Sequence, residues 1–433
     1  MILATAFVLN ALLLGGLGWW LRREYHGATP SLRRWLLPAL AWRLLLTALS
    51  GWRPGPDAKT LSYWGQGLIV EFWAHPSQVL AILQDERIHA NGEILTRYSF
   101  SNTIFFAKLL GLCNFVTRGS IWLNSFYLSI FCFVGCWLLV REWARLFPAT
   151  PLAAAGVALL LWPSVVWWTA GVGKDTVLLG SEAFVVALAL RQLYGPAAGT
   201  TSWPAKLLTA LVWLIFAWLA CRLRYFFALP LVGGLLALAA VRQAARWGWV
   251  GAGSRAQAAS LLLVLVLGSA LGLGAAASRV SAGFYSQQFY QQYVRGLAAS
   301  AGKPHLVYAH LVPTAASLLR YAPVAIGQTL VRPWLGESRQ ALYVAASLEN
   351  LLLVSLLGLA AVASLRGRAG RLPVGLVVML AFYCLVLAAL IGLSTPNLGT
   401  LHRYRAALLP WLLLLLLQND YARAALRRLG LEV

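Results

Sequence analysis

Apolar residues along this chain run nearly unbroken for about twenty positions at a time, separated by short segments rich in arginine, proline and glycine. Wound as an α-helix, a run of about 20 residues matches the ~30 Å hydrocarbon core of a bilayer. Eleven such spans are predicted, over residues 2–20, 35–51, 121–140, 151–168, 176–192, 205–220, 225–241, 257–276, 341–364, 372–393 and 402–418. In lipid the backbone must satisfy its own hydrogen bonds, which leaves helices or closed barrels. A barrel needs short alternating strands, whereas these runs are continuous and rich in Leu and Ala. The predicted fold class is all-α, a polytopic integral membrane protein of about eleven transmembrane helices. Stretches within 60–120 and 305–335 are too broken for spans and read as interfacial helices or re-entrant segments. The first span has no basic region before it and no small-residue cleavage site after it, so it reads as a retained helix rather than a signal peptide.

Composition agrees with that class. Of 433 residues, 60% are hydrophobic and 11% charged, and the mean hydropathy is +0.72, which a water-soluble core cannot accommodate. The formal charge of +22 is largely topological. Arg22, Arg23, Arg33 and Arg34, then Arg242, Arg246 and Arg255, then Arg366, Arg368 and Arg371, and finally Arg423, Arg427 and Arg428 all fall on one side of an eleven-span arrangement. That side is expected to be cytoplasmic, with the amino terminus outside and the carboxyl terminus inside. The basic residues then meet anionic membrane lipid, and no nucleic-acid motif accompanies them. Four segments follow: an extra amino-terminal helix with its basic loop (1–34), a membrane core (35–276) with an outward loop at 52–120, an outward segment (277–340), and three carboxyl-terminal spans with a basic tail (341–433).

Trp19, Trp20, Trp52, Trp167 and Trp168 lie near span ends, as interfacial anchors do. The five cysteines and six histidines show no disulfide framework and no metal-ligand spacing.

The outward face carries the candidate chemistry. Asp57 follows the second span in a Pro-Gly-Pro context that places it on a turn near the headgroups. Partly shielded there, it could act as a general base toward a hydroxyl; alternatively it pairs with Arg53 or Lys59. Lys174 and Asp175 open the fifth span after Gly171-Val172-Gly173. The helix dipole alone accounts for Asp175, while Lys174 is a candidate cavity residue. Glu182 and Glu349 lie within spans and should face a partner or a cavity.

Arg222 with Arg224, and Arg403 with Arg405, interrupt apolar sequence on the face where arginine is not expected. A guanidinium fork suits two phosphate oxygens. Two residues is poor spacing for one helix face, so at least one arginine of each pair is expected on a turn. Interfacial anchoring is the plainer alternative. Tyr285, Tyr290 and Tyr293 stand among glutamines that could meet sugar hydroxyls or simply solvate a helix.

Several strings resemble a known superfamily: Asp57 with Tyr63; the run Pro163-Ser-Val-Val-Trp-Trp-Thr-Ala-Gly-Val-Gly-Lys-Asp175; Arg332-Pro-Trp334 followed by Glu349-Asn350; and Asn397-Leu-Gly-Thr-Leu-His-Arg-Tyr-Arg405 ahead of Pro410. Over residues 35–418 the chain resembles bacterial membrane glycosyltransferases of the GT-C superfamily, relatives of the dolichyl-phosphate-mannose protein mannosyltransferases. It also shares features with O-antigen polymerases. The resemblance implies an inner-membrane enzyme that transfers sugar from a polyprenyl-phosphate donor to an envelope glycan, lipid or protein at the outer face. Asp57 would be the catalytic base. Arg222, Arg224, Arg403 and Arg405 would hold the lipid phosphate, with Lys174, Asp175, Tyr63 and Arg332 lining the site. No cofactor is implied with certainty; a divalent cation is compatible with the site, as are partners in envelope biosynthesis. The chain departs from the superfamily in its extra first span and in the lack of a second acid beside Asp57. The alternatives are a polymerase or ligase using polyprenyl-diphosphate glycans, and a transporter or flippase of lipid-linked sugars.

Overall fold

The computed structural model describes residues 2–96, 101–195, 202–251, 253–279 and 283–432. In chain order its helices are α1 (Ile2–Gly27), α2 (Pro30–Trp52), α3 (Pro56–Ala74), α4 (Val79–Gln84), α5 (Asn102–Thr117), α6 (Ile121–Leu146), α7 (Leu152–Gly156), α8 (Pro163–Trp168), α9 (Lys174–Tyr194) and α10 (Trp203–Arg246). They continue with α11 (Ser254–Arg279), α12 (Phe284–Ala298), α13 (Ala315–Val331), α14 (Ala341–Leu365), α15 (Val374–Ser394), α16 (Leu398–Leu416) and α17 (Asp420–Arg428).

Seven of the described helices, or their described parts, are long and apolar enough to cross a membrane: those over Leu3–Gly27, Ile121–Leu146, Lys174–Tyr194, Trp203–Arg246, Ser254–Gly272, Ala341–Leu365 and Val374–Ser394. Large apolar side chains on them stand open, among them Phe7 at 74% and Leu342 at 78% exposure. In water such surfaces would drive association, whereas in lipid they cost nothing. The protein is a helical, membrane-embedded one.

The remaining expected spans look different. The 35–51 run lies in α2, which also carries Arg33, Arg34 and Arg43. The 151–168 run is not one helix: α7 passes into a π-helical turn at Val157–Leu161, and α8 restarts at Pro163. The 402–418 run lies in α16, which contains Pro410. The two runs at 205–220 and 225–241 share α10, whose 44 residues leave helical geometry at Arg224 (φ −151°, ψ 79°). At 1.5 Å per residue α10 is about 66 Å long, roughly twice one crossing.

The chain divides into two compact units. The first comprises Met1–Leu146 and Leu159–Ala228. In it α6 and α9 pack through glycine: a Cβ on Gly135 would lie 2.5 Å from the Gly180 carbonyl oxygen, and one on Gly180 would lie 2.9 Å from Cys132 Cα. Such close approach gives lipid-embedded helices their dispersion contact. α1 is tied by polar groups, Glu24 accepting from Trp137 Nε1 (2.9 Å) and Arg141 Nη1 (2.6 Å). Between α4 and α5 lies a two-stranded antiparallel hairpin, β1 (Arg87–Ala90) and β2 (Glu93–Thr96). Asn91 and Gly92 close it with φ of 56° and 73°, the type I′ geometry that Asn-Gly favours.

The second unit comprises Phe147–Ala158 and Leu229–Val433. α13 crosses α15 at Gly392, where a Cβ would sit 2.5 Å from the Ala325 carbonyl oxygen, and Thr329 Oγ1 donates to the Ala388 carbonyl (3.0 Å). Glu432 accepts from the Leu152 and Ala153 amides (3.3 and 2.8 Å), putting a carboxylate on otherwise unsatisfied donors at the start of α7.

Candidate functional site

In the first unit the charged candidates converge on the first turns of α5. Ser101 caps that helix, its hydroxyl accepting from the Ile104 amide. Lys174, the first residue of α9, donates through Nζ to Asn102 Oδ1 (2.9 Å) and Thr103 Oγ1 (2.8 Å). Asp175 beside it is 3% exposed and forms an ion pair with Arg224 Nη2 at 2.9 Å. Arg222 lies over the Phe105 ring, 5.1 Å from its centroid. The Arg222–Arg224 pair thus behaves as its spacing suggests, since Arg224 sits on the break in α10.

Lys108, one turn beyond Phe105 on α5, completes the group. It is buried, and its ammonium donates to the carbonyls of Leu83 (3.1 Å) and Asp85. Burial lowers its proton affinity, Asp85 opposes that shift and Arg222 reinforces it. Lys108 was not singled out from the sequence; the signal that could have found it is a lone charge in the apolar run 104–112. Four cationic side chains therefore gather around two helix starts, with Asp175 paired to Arg224 and Asp85 within electrostatic reach of Lys108.

Asp57 is brought to the same neighbourhood by packing. Ala58 and Leu61 of α3 join Phe105, Phe106, Leu110, Val172 and Leu223 in one apolar cluster. Its side chain, however, is exposed in the first turn of α3, behind Pro56. The shielded turn expected for it is not what the structure contains, because Pro56 starts a helix at once. Tyr63 looks elsewhere: its carbonyl accepts from Asn91 Nδ2 (3.1 Å) at the hairpin, and its ring meets Trp64 edge-on at 5.5 Å.

The approach to Lys174 depends on Gly171. Its φ of +122° disfavours any side chain, and a Cβ there would fall 2.4 Å from Ser50 Oγ. The Gly171 carbonyl accepts from Thr176 Oγ1 (2.9 Å), which fixes the turn into α9. Deeper in the unit, Arg43 is fully buried and donates to Thr169 through Nη1 to the carbonyl (3.0 Å) and Nη2 to Oγ1 (3.2 Å). Glu182 and Arg43 both lie within electrostatic reach of Cys136.

In the second unit Arg403 and Arg405 both lie within the regular helix α16, so the turn expected for that pair is absent. Two residues along a helix is a rotation of about 200°, and the two side chains leave on opposite sides. Arg405 is fully buried; Nη1 donates to Asn350 Oδ1 (2.9 Å), to the Thr329 carbonyl (3.3 Å) and to the Arg332 carbonyl. Asn350 in turn donates to the carbonyls of Val331 (2.6 Å) and Pro333 (3.2 Å). Together they clamp the segment leaving α13. Arg332 points its own Nε at Glu337 Oε1 (2.6 Å). The strings Arg332-Pro-Trp334, Glu349-Asn350 and Arg403-Tyr-Arg405 are therefore one structural assembly, and Glu349 acts electrostatically on Arg405.

Among the described residues no group of three or more His, Cys, Asp or Glu could hold a metal ion. Fold and site together define a helical membrane protein with a basic cluster at helix ends. No family model, no curated protein and no solved structure matches the chain.

Proposed function

We propose that the protein is a membrane glycosyltransferase that moves a sugar from a polyprenyl-phosphate donor to an envelope acceptor. The reaction would take place at the outer face of a bacterial inner membrane, with the amino terminus outside and the carboxyl terminus cytoplasmic. The supporting observation is the gathering of Lys108, Lys174, Arg222 and Arg224 beside the α3 turn that carries Asp57. Four cations stand against the carboxylates of Asp175 and Asp85, a net positive balance that suits a lipid phosphate.

The chemistry is a single displacement. The acceptor oxygen attacks the anomeric carbon as the bond to the donor phosphate oxygen breaks, and the configuration inverts. Negative charge grows on the leaving phosphate, where fixed cations lower the barrier. Asp57 takes the acceptor proton. Because Arg405 spends Nη1 on the protein itself, this reading moves the phosphate-binding role to the first unit.

The test is a transfer assay with purified protein and radiolabelled polyprenyl-monophosphate and polyprenyl-diphosphate sugars. Transfer from a monophosphate donor that disappears in folded Asp57→Asn and Arg222→Gln proteins supports the reading. Transfer from diphosphate donors alone, indifferent to Asp57, points to a polymerase or ligase. Donor binding without turnover points to a lipid-sugar transporter.

A further inference from the structure

α12 carries a single charged side chain, Arg295. It is exposed and makes no ion pair among the described residues. Beside it opens a cleft of 330 Å³, at the lower end of the range for small-molecule sites. One wall is α12, which offers Gln292 and Arg295 one turn apart; the other is α16, which offers Thr400 and Tyr404, again one turn apart. Thr395 and Asn397 form the floor.

The floor is built in advance. Asn397 Oδ1 accepts from the Thr400 amide (3.0 Å), and Nδ2 donates to Ser300 Oγ (3.1 Å). The backbone on either side is tied by Leu306 N to the Pro396 carbonyl (2.8 Å) and Leu398 N to the Pro304 carbonyl (3.2 Å). A Cβ on Gly296 would come within 2.9 Å of Pro396 Cδ, so glycine lets α12 close on that floor. A ligand would find its partners already ordered, which saves the entropy of assembling them.

We propose that this cleft binds a carboxylate-bearing sugar residue, of the uronic-acid class. The lining holds no carboxylate, so it does not select a cation. Its apolar surface comes from a proline, a glycine and the Tyr404 ring, with no Leu, Ile or Val side chain to hold an aliphatic ligand. Hydroxyls and amides on both walls suit a ligand with many hydroxyls, and the Tyr404 ring can take the apolar face of a pyranose. The Arg295 fork pairs with both oxygens of a carboxylate. An acidic peptide also offers a carboxylate, and a peptide probe in the binding experiment separates it from a sugar. The sugar's role as an acceptor rests on the glycosyltransferase reading; its binding does not.

The experiment is equilibrium binding to the full protein in lipid nanodiscs. The probes are a galacturonic-acid tetramer, its methyl ester, a neutral glucose tetramer and a tetraglutamate peptide. The acid tetramer should bind at least about tenfold more tightly than its ester, as one charge-assisted pair allows. Arg295→Gln should bring the acid down to the level of the ester and leave the ester unchanged, whereas Tyr404→Phe should retain the preference for the acid. Equal binding of acid and ester, no binding of the acid tetramer, or equally tight binding of tetraglutamate would each overturn the proposal. The transfer assay is scored separately. Sugar transfer without acid selectivity removes the cleft proposal alone, and acid-selective binding without transfer from any donor removes the transferase alone.

Discussion

Arg224 meets Asp175 at 2.9 Å at the point where a helix of 44 residues loses its regular geometry. The break turns a guanidinium, which would otherwise project from a continuous helix, toward the start of α9. The ion pair thus supports the kink, and the kink supports the cationic cluster.

Removing the carboxylate should be costly, because the pair is largely buried: Asp175→Ala is expected to destabilise the protein by about 3–5 kcal/mol. Adding Arg224→Ala to it should recover part of that loss. Unfolding of the single and double variants in mixed micelles gives the coupling. A double variant no better than either single one would mean that the pair does not hold the kink.

Arg405 should behave as a structural residue. Its Nη1 serves three oxygens, and a lysine ammonium cannot reproduce the geometry of the buried guanidinium. Arg405→Lys should therefore lower thermal stability about as much as Asn350→Ala does, and the two should be non-additive. If transfer activity is found, donor KM measured on the folded fraction should stay near wild type. A large rise in KM at unchanged stability would return Arg405 to the phosphate site.

Gly171→Ala combines a disfavoured φ with a collision at Ser50. Strain and overpacking together predict a loss of more than about 2 kcal/mol. Pairing it with Ser50→Gly should restore the packing part and leave the backbone part. Melting temperatures of the three variants separate the two contributions.

The second unit should loosen in alkali. Tyr308 donates to the Gly392 carbonyl (3.1 Å), and its amide binds the Tyr293 hydroxyl (2.9 Å). Burial pushes both phenols above their ordinary value of 10. A group that holds its proton more tightly when folded contributes fully below its unfolded pKa, and that contribution fades as pH rises past it. The melting temperature should be flat between about pH 7 and 9 and fall above about pH 10. Tyr308→Phe should flatten the fall, at a cost of about 1 kcal/mol from the lost hydrogen bond. A fall that begins well below pH 10, or one unchanged in the variant, would contradict this.

Hydropathy made α6, α9, α14 and α15 legible, because each is a single long apolar run. It failed at 151–168, where apolarity persists through a π-helical turn and a Pro163 restart. Lipid tolerates such breaks when other protein groups cover them, so composition does not register them. The hairpin at 87–96 had a readable signal in Asn91-Gly92, which hydropathy does not register. The convergence of Lys174, Asp175, Arg222 and Arg224 followed from their placement at span ends. Arg43 and Lys108 were visible as charges in apolar runs, but their partners Thr169 and the Leu83 carbonyl depend on tertiary packing. The surroundings of Arg405 were hidden for the same reason: the sequence shows a guanidinium, not the three oxygens that its Nη1 serves.

Those oxygens lend the 331–334 segment an unusual freedom. Arg405 and Asn350 hold it mainly by its main-chain carbonyls, which every amino acid supplies. Trp334 there is 47% exposed, and its carbonyl, not its indole, receives the Ser347 hydroxyl (3.0 Å). The exposed position can therefore exchange its side chain while the loop keeps its path, which makes it a natural place for diversity to accumulate on a fixed frame.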